Sequence, residues 1–533
     1  MILYNKEGID MMEVDVSKKK EKKVLIVIIT ILLLVAIGAG VYYFVVYKNK
    51  DNNEVGKEVE NVETKSQYRL SSNGLEPFDL YFLQLENQHA NKVYSPLSIK
   101  YALAMLNEGT SGDTKKQITS IIGDYNTKKY TNSKNMSFAN ALFVKDSYKD
   151  NIKETYVNNL KTKYNAEVIY DSFSSPYYIN NWISNNTFNL INNVFDDLSD
   201  IDFALINALA IDMEWDNVLQ PIYGDYEINY QHEKYNFYIP CLNEIDSEIS
   251  RLNYFELDFN NSSKVNSVKI GAVINKYDIV NILGEENIRK TVSEAYEKWK
   301  AENPNELIDD FDSYLDNYIE YIDENYGHIS SSTDFKFYVD EDVKVFAKSL
   351  KTYDGTTLEY VGIMPKEESL DNYINDLTIN DINYLINNLK TIEFDNFKEG
   401  VITEISGYIP MFKFEYELKL MQDLQKLGIT NVFDENKADL SNLTSSDAYI
   451  TDAKHKSTIE FSNNGIKAAS TTYVGGAGNI KSGFDYIYDV PVEKIDLTFD
   501  KPYMFLIRDK ESNEIWFMGT VYEPYEYKSI TEE

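Results

Sequence analysis

His455 and, ten residues further on, the stretch Gly465-Ile-Lys-Ala-Ala-Ser-Thr-Thr472 form the most specific chemical pattern in the chain. Positions 466, 468, 470, 472 and 474 are Ile, Ala, Ser, Thr and Val, all small or β-branched and uncharged. Lys467 and Tyr473, between them, suit a surface. A period of two gives a strand one buried and one wet face. Gly475-Gly476-Ala477-Gly478-Asn479 follows at once, and a run so rich in glycine does not hold a strand interior. The segment is suited to be either strand or exposed loop. Its chemistry is therefore an exchange of backbone hydrogen bonds, not bond breaking by its own side chains. An ordinary hairpin with a glycine-rich tip remains the alternative.

Groups that perform covalent catalysis are missing. There is no Gly-x-Ser-x-Gly elbow, no glycine-rich phosphate loop and no His-Glu-x-x-His. Cys241 is the single cysteine, which excludes an internal disulfide and a multi-thiolate metal site. His89, His232, His328 and His455 stand at no ligand spacing, and the carboxylates are too numerous to single out a pair. No catalytic residue, metal or other cofactor is expected. A net charge of −34 also argues against nucleic acid as a partner, because phosphate contacts need a basic surface.

These residues need a scaffold, and 533 residues accommodate one large domain with insertions or two to three domains. A hydrophobic share of 43% and an aromatic share of 14% supply a sizeable core. Ahead of the scaffold, Val24–Tyr47 is an uncharged run. As a helix rising ~1.5 Å per residue it is about 36 Å long, enough to cross a ~30 Å hydrocarbon layer with some tilt. Lys18, Lys19, Lys20, Lys22 and Lys23 precede it, which places residues 1–23 in the cytoplasm. Tyr42, Tyr43 and Tyr47 gather at the far end like an aromatic belt. A cleaved signal peptide is the competing reading, but its apolar region typically spans ~7–15 residues and ends in small ones. Here the run continues past Gly38-Ala39-Gly40 through Tyr47. The expectation is a single-pass anchor over 24–47, a polar stalk over 48–71 and an extracytoplasmic domain over 72–526 at the cell membrane. The richness in Asn, Ile, Lys and Tyr suggests a bacterial surface protein.

Along the domain, Leu75–Glu86 reads as an amphipathic helix. Ser95 followed by Pro96 reads as the capped start of a helix that ends near Gly109. Ser137–Val144, Leu358–Pro365 and Ile409–Tyr416 read as strands, and Leu418–Leu427 as a helix stopped by Gly428. Tyr503–Arg508 and Glu514–Val521 form an apolar hairpin. About 222–340 looks like an acidic insertion. Within it, Glu285–Glu324 is helical, with Phe311, Tyr314, Leu315, Tyr318, Ile319 and Ile322 on one stripe.

Segments from about Leu75 to Pro524 resemble the serpin family. They are Asn91–Gly109 with its Tyr-Ser-Pro-Leu-Ser-Ile core, Ile179–Thr187, Leu205–Trp215, Ile409–Phe414, Leu427–Phe433 with Ala438-Asp-Leu-Ser, His455–Phe461, Phe499–Tyr503 and Phe517–Gly519. The resemblance implies an α+β fold: large mixed β-sheets, about nine surrounding helices and a mobile reactive loop, here preceded by one transmembrane helix. It implies a monomer that traps a protease as an acyl-enzyme when its loop is cut and inserts into the central sheet.

By the same resemblance Ser95, Ser98, Asn207 and His455 form the gate where that sheet parts. Gly465, Ile466, Ala468, Ala469, Ser470, Thr471 and Thr472 form the loop hinge. The sequence departs from the family at Asn463, where an acidic residue is usual, at Ile466 for threonine and at Lys467 for glutamate. Counting from the hinge puts the reactive bond among Asn479, Ile480, Lys481 and Ser482. Lys481–Ser482 would suit a trypsin-like enzyme, and an elastase-like target is the other expectation. The loop is longer than usual, and its extra piece around Tyr486–Asp496 carries Asp489, Glu493 and Asp496 as a contact for a basic protease or as a neutral insertion. A serpin-fold surface binding or adhesion protein that inhibits nothing, acting through the acidic insertion, is the alternative function.

Overall fold

The computed structural model describes residues 66–86, 89–222, 228–232, 261–304, 310–466, 484, 486 and 488–524. Val24–Tyr47, Ala468–Thr472 and Asn479–Ser482 lie outside them. Among the described residues no helix is long and apolar enough to cross a membrane.

The helix Pro96–Gly109 begins as its sequence dictates: proline takes the first helical position and the Ser95 hydroxyl accepts the Ser98 N–H at 3.1 Å. Lys100 fixes this helix from inside the core. Its ammonium, fully buried, sits 2.7 Å from carboxylate oxygens of both Asp79 and Glu514. Burial pushes the Glu514 carboxyl up to about 8 and raises Asp79 as well, against the pull of the lysine. The trio joins this helix to Pro77–Leu85 and to the carboxyl-terminal hairpin. Removing the cation strands two buried carboxyls, so Lys100→Ala should cost about 3–5 kcal/mol in a urea melt.

The largest sheet has seven strands, in the order Lys92–Tyr94, Ile515–Val521, Tyr503–Asp509, Leu358–Pro365, Val343–Ser349, Lys336–Val339 and Lys390–Thr391. The predicted hairpin lies inside it, buried along its length. A five-stranded sheet contains Ser267–Asn275 and Ile402–Pro410 in antiparallel register, with Val492–Asp496 parallel to the latter. Two further sheets are joined where Phe203–Ile211 of one runs through Asp212 into Met213–Glu214 of the other. One orders Glu167–Asp171, Met136–Lys145 and Phe203–Ile211; the other orders Phe412–Leu418, His455–Phe461, Gly465–Ile466 and Met213–Glu214.

Several expectations need correcting. The strand expected over Ile409–Tyr416 is two strands in different sheets, parted at Met411, whose N–H donates to the Asn266 carbonyl. The helix beyond it starts at Leu420 and ends as predicted at Gly428, with φ 107°. Eleven α-helices, not about nine, occur among the described residues. Three of them, Ile279–Leu283, Glu285–Glu302 and Phe311–Glu324, belong to the range read as an insertion. That range also contains Ser267–Asn275 and Lys336–Val339, which are strands of the main sheets, so the added part reduces to the helices. The last residues of the expected stalk pack on the body: Leu70 is fully buried and its N–H donates to the Ile121 carbonyl at 2.8 Å. The extra piece of the loop is tied down too, because Val492–Asp496 is a sheet strand and Asp496 pairs with Lys344 at 2.7 Å.

Candidate functional site

Among the described residues Phe203–Ile211 pairs with Met136–Val144, and His455–Phe461 pairs with Phe412–Leu418. No ladder joins Phe203–Ile211 to His455–Phe461. Between them runs a cleft. Its lower part is a cavity of about 680 Å³, lined on one side by Phe203–Leu209 and on the other by Lys454–Ser457. Ser95, Ser98 and Leu103 form its floor. At the upper end Leu209–Ile211 and Ser457–Glu460 line a smaller hollow together with Ile466. Unpaired strand edges on both sides of a cavity make a slot for one more strand.

The first two residues of the hinge already occupy the top of that slot. Gly465 pairs with Glu214 and Ile466 with Met213, antiparallel, and Ile466 also pairs with Phe461. Glycine is needed here, because a Cβ on residue 465 would lie 2.2 Å from the Met213 carbonyl oxygen. Ile466 is buried, so the departure from threonine suits an apolar site. The turn that launches the hinge is pinned by Trp215. Its indole N–H donates to the Ser462 carbonyl and its backbone N–H to the Asn464 carbonyl, both at 2.9 Å. The ring lies against Phe461, with centroids 5.4 Å apart. Asn463, where an acidic residue was expected, accepts the Leu219 N–H at its carbonyl, 2.8 Å away.

The four gate residues come together across the lower slot. The Ser95 N–H donates to His455 Nε2 at 2.8 Å, and the Ser457 hydroxyl lies 3.0 Å from the same nitrogen. The Ser98 hydroxyl donates to Asn207 Oδ1. Asn207 Nδ2 in turn donates to Asn140 Oδ1 at 2.7 Å, and Asn140 Nδ2 to the Tyr164 carbonyl at 3.0 Å. Every member has a partner, and short polar side chains change partners without leaving a group unpaired.

A nitrogen that accepts a backbone N–H must keep its lone pair, so this imidazole is neutral; burial pushes it down to about 4. The folded value lies below the unfolded one, near 6.5. The stability it contributes is therefore complete above about pH 6.5 and lost as the pH falls towards 4. Wild type should lose about 3 kcal/mol more than His455→Gln across that window, measured as midpoints of chemical unfolding.

Asn140 and Trp215 escaped notice as functional residues. An amide in the middle of the apolar strand Ser137–Val144 was a usable signal for the first. Nothing local marked the second, since an indole at the end of an apolar strand is usually core.

The sequence matches the family described as serpin, serine protease inhibitor, over residues 78–223 and 328–524, more than half of the chain. The chain belongs to the serpin family. The match passes over 224–327, where the serpin scaffold carries the added helices. A serpin-like protein of Methanosarcina acetivorans is 23% identical over 495 residues, covering 87% of this chain and 91% of its own. That relative is archaeal and gives the expected bacterial origin no support. In fold the chain is similar to the thermophilic serpin tengpin in its native state, with TM-score 0.55 and 21% identity, covering 89% of this chain and 98% of tengpin. It is also similar to thyroxine-binding globulin in complex with thyroxine, with TM-score 0.53 and 17% identity, covering 84% of this chain and 98% of that one. Serpins are in general protease inhibitors and not enzymes, and their usual partners are proteases.

Proposed function

We propose that this serpin is an inhibitory one, held at the cell surface by Val24–Tyr47, that traps a serine or cysteine protease as a monomer. The observation that carries the proposal is a slot that no described strand fills, with the hinge started in it. Continued in register from Ile466, Ala468 meets Ile211 and Ile459, Ser470 meets Leu209 and Ser457, and Thr472 arrives between Asn207 and His455. The alternating residues 466, 468, 470, 472 and 474 then share the face of Met213, Ile211 and Leu209, which lie in the core. A charge on that face would block insertion, and the sequence has none there.

The protease nucleophile attacks a carbonyl among Asn479–Ser482, the peptide nitrogen leaves as a new amino terminus, and an acyl-enzyme forms. The freed arm zips into the slot and carries the acylated protease with it. Hydrolysis of the acyl-enzyme, an ester on serine or a thioester on cysteine, then competes with a displacement that distorts the catalytic geometry. Loop insertion in serpins is a recognised case of a switch in which a segment becomes ordered.

The test is incubation of the domain over 66–533 with trypsin-like and elastase-like enzymes. A covalent complex that survives denaturing electrophoresis is expected, with mass spectrometry placing the cut between Asn479 and Ser482. Clean turnover of the loop by every enzyme tried, with no such complex, would overturn the proposal. That outcome would favour a binding or adhesion role through the insertion, where Tyr321 stands exposed on an acidic helix and Ile282 on the short helix Ile279–Leu283.

A further inference from the structure

The added helices do more than decorate the scaffold, because they hold the far arm of the loop. Glu285–Glu302 and Phe311–Glu324 pack on each other through Tyr296 and Phe311, whose rings stack with centroids 3.9 Å apart. Beside that stack lies Phe484, buried, with its ring 5.4 Å from Tyr296, 5.6 Å from Trp299 and 5.7 Å from Tyr314. Tyr486 lies 6.3 Å from Tyr318, and the Tyr488 hydroxyl donates to the Ile288 carbonyl at 3.3 Å. Phe484, Tyr486 and Tyr488 thus present alternate aromatic rings to a separate apolar cluster made by the insertion. The chain then continues into Val492–Asp496, paired with Ile402–Ser406.

The loop is consequently held at both ends: at Ile466 in the slot and at Phe484 on the helices. Val492–Asp496, which follows the far anchor, pairs with Ile402–Ser406, and that strand runs on through Met411 into Phe412, paired with Phe461 beside Ile466. The sheet next to the far anchor thus joins the slot at its turn end. An uncut loop that enters the slot must come back to that anchor. Each residue going down takes about 3.4 Å of chain and needs as much again to return. No more than roughly nine residues past Ile466 can enter while Phe484 stays in place.

We propose that the helical insertion is a clamp on the carboxyl-terminal arm of the loop, so that the chain relaxes fully only after the loop is cut. The proposal rests on the loop-insertion function above. Cutting between Thr472 and Phe484 frees the slot side of the loop at once and leaves the aromatic side on its helices. Without a cut, relaxation needs Phe484, Tyr486 and Tyr488 to leave an apolar site together.

Phe484→Ala tests this on the loop side and leaves the Tyr296–Phe311 stack intact; Tyr488→Phe removes one hydrogen bond and keeps the ring. Uncut samples of each variant, of wild type and of an Ile282→Ala control on the exposed face of the insertion are held below their melting points. They are assayed over time for appearance of a heat-resistant form that no longer traps protease. Phe484→Ala should convert at least tenfold faster than wild type, Tyr488→Phe by a smaller factor, and the control at the wild-type rate. Conversion of Phe484→Ala at the wild-type rate, while its deliberately nicked form still gains heat resistance, would overturn the clamp and leave loop insertion standing. Absence of any gain in nicked wild type would instead remove loop insertion, and the clamp with it.

Discussion

One cut in the loop between Thr472 and Phe484 is expected to raise the melting midpoint by on the order of 15 °C. Ten or so residues entering between two strands form about twenty backbone hydrogen bonds worth ~1 kcal/mol each. Ordering those residues costs about 1–2 kcal/mol apiece, so bonds and entropy come close to cancelling. The surplus comes from the cavity. Apolar groups of the loop and of the walls formed by Phe203–Leu209 and Lys454–Ser457 leave water together there, at about 25 cal/mol per Å² of apolar surface buried. Differential scanning calorimetry of intact and nicked protein checks this. A nicked sample that melts with the intact one would mean that the cleft is not filled by its own loop.

A charge placed on the inward face of the hinge should convert the protein from trap to ordinary substrate. Ala468→Glu would set a carboxylate between Ile211 and Ile459, and Thr472→Arg a guanidinium between Asn207 and His455. Burying an unpaired charge costs several kcal/mol, and each 1.36 kcal/mol on a barrier is tenfold in rate. Insertion should slow at least about 100-fold, enough for hydrolysis of the acyl-enzyme to win. The measured quantity is the number of inhibitor molecules cleaved per protease trapped. Lys467→Glu, on the outward face, should leave that number unchanged. A trapping ratio unaffected by Ala468→Glu would place the hinge elsewhere.

Much of this was legible because the informative residues act through period and type. Alternation at 466–474 marked the strand that has yet to form, and Ser95-Pro96 marked the start of the helix under the gate. Ser95, Ser98, Asn207 and His455 lie as far as 360 residues apart in sequence, and only family resemblance brought them together before the fold did. The boundary at Met411 does not show because the apolar residues Ile409–Phe412 run straight into the alternation of Phe412–Tyr416, and periodicity does not mark a change of sheet. The aromatic stripe from Phe311 to Ile322 shows in the sequence, but what covers it does not. Its neighbour proved to be a second helix together with Phe484, and no local pattern in either segment announces a contact across so long a stretch of chain. Lys100 was invisible for a simpler reason: a lysine in a helix usually faces water.

Gly465 and Ile466, seated between Met213 and Phe461 before any cut, bear on speed. Bringing a free segment to a sheet first requires closing a loop and aligning an opening pair, the slow part of most cooperative transitions. Here the first tooth of the zipper is meshed when the protein folds. After scission only propagation is left, so the contest with the protease's water molecule begins from a running start.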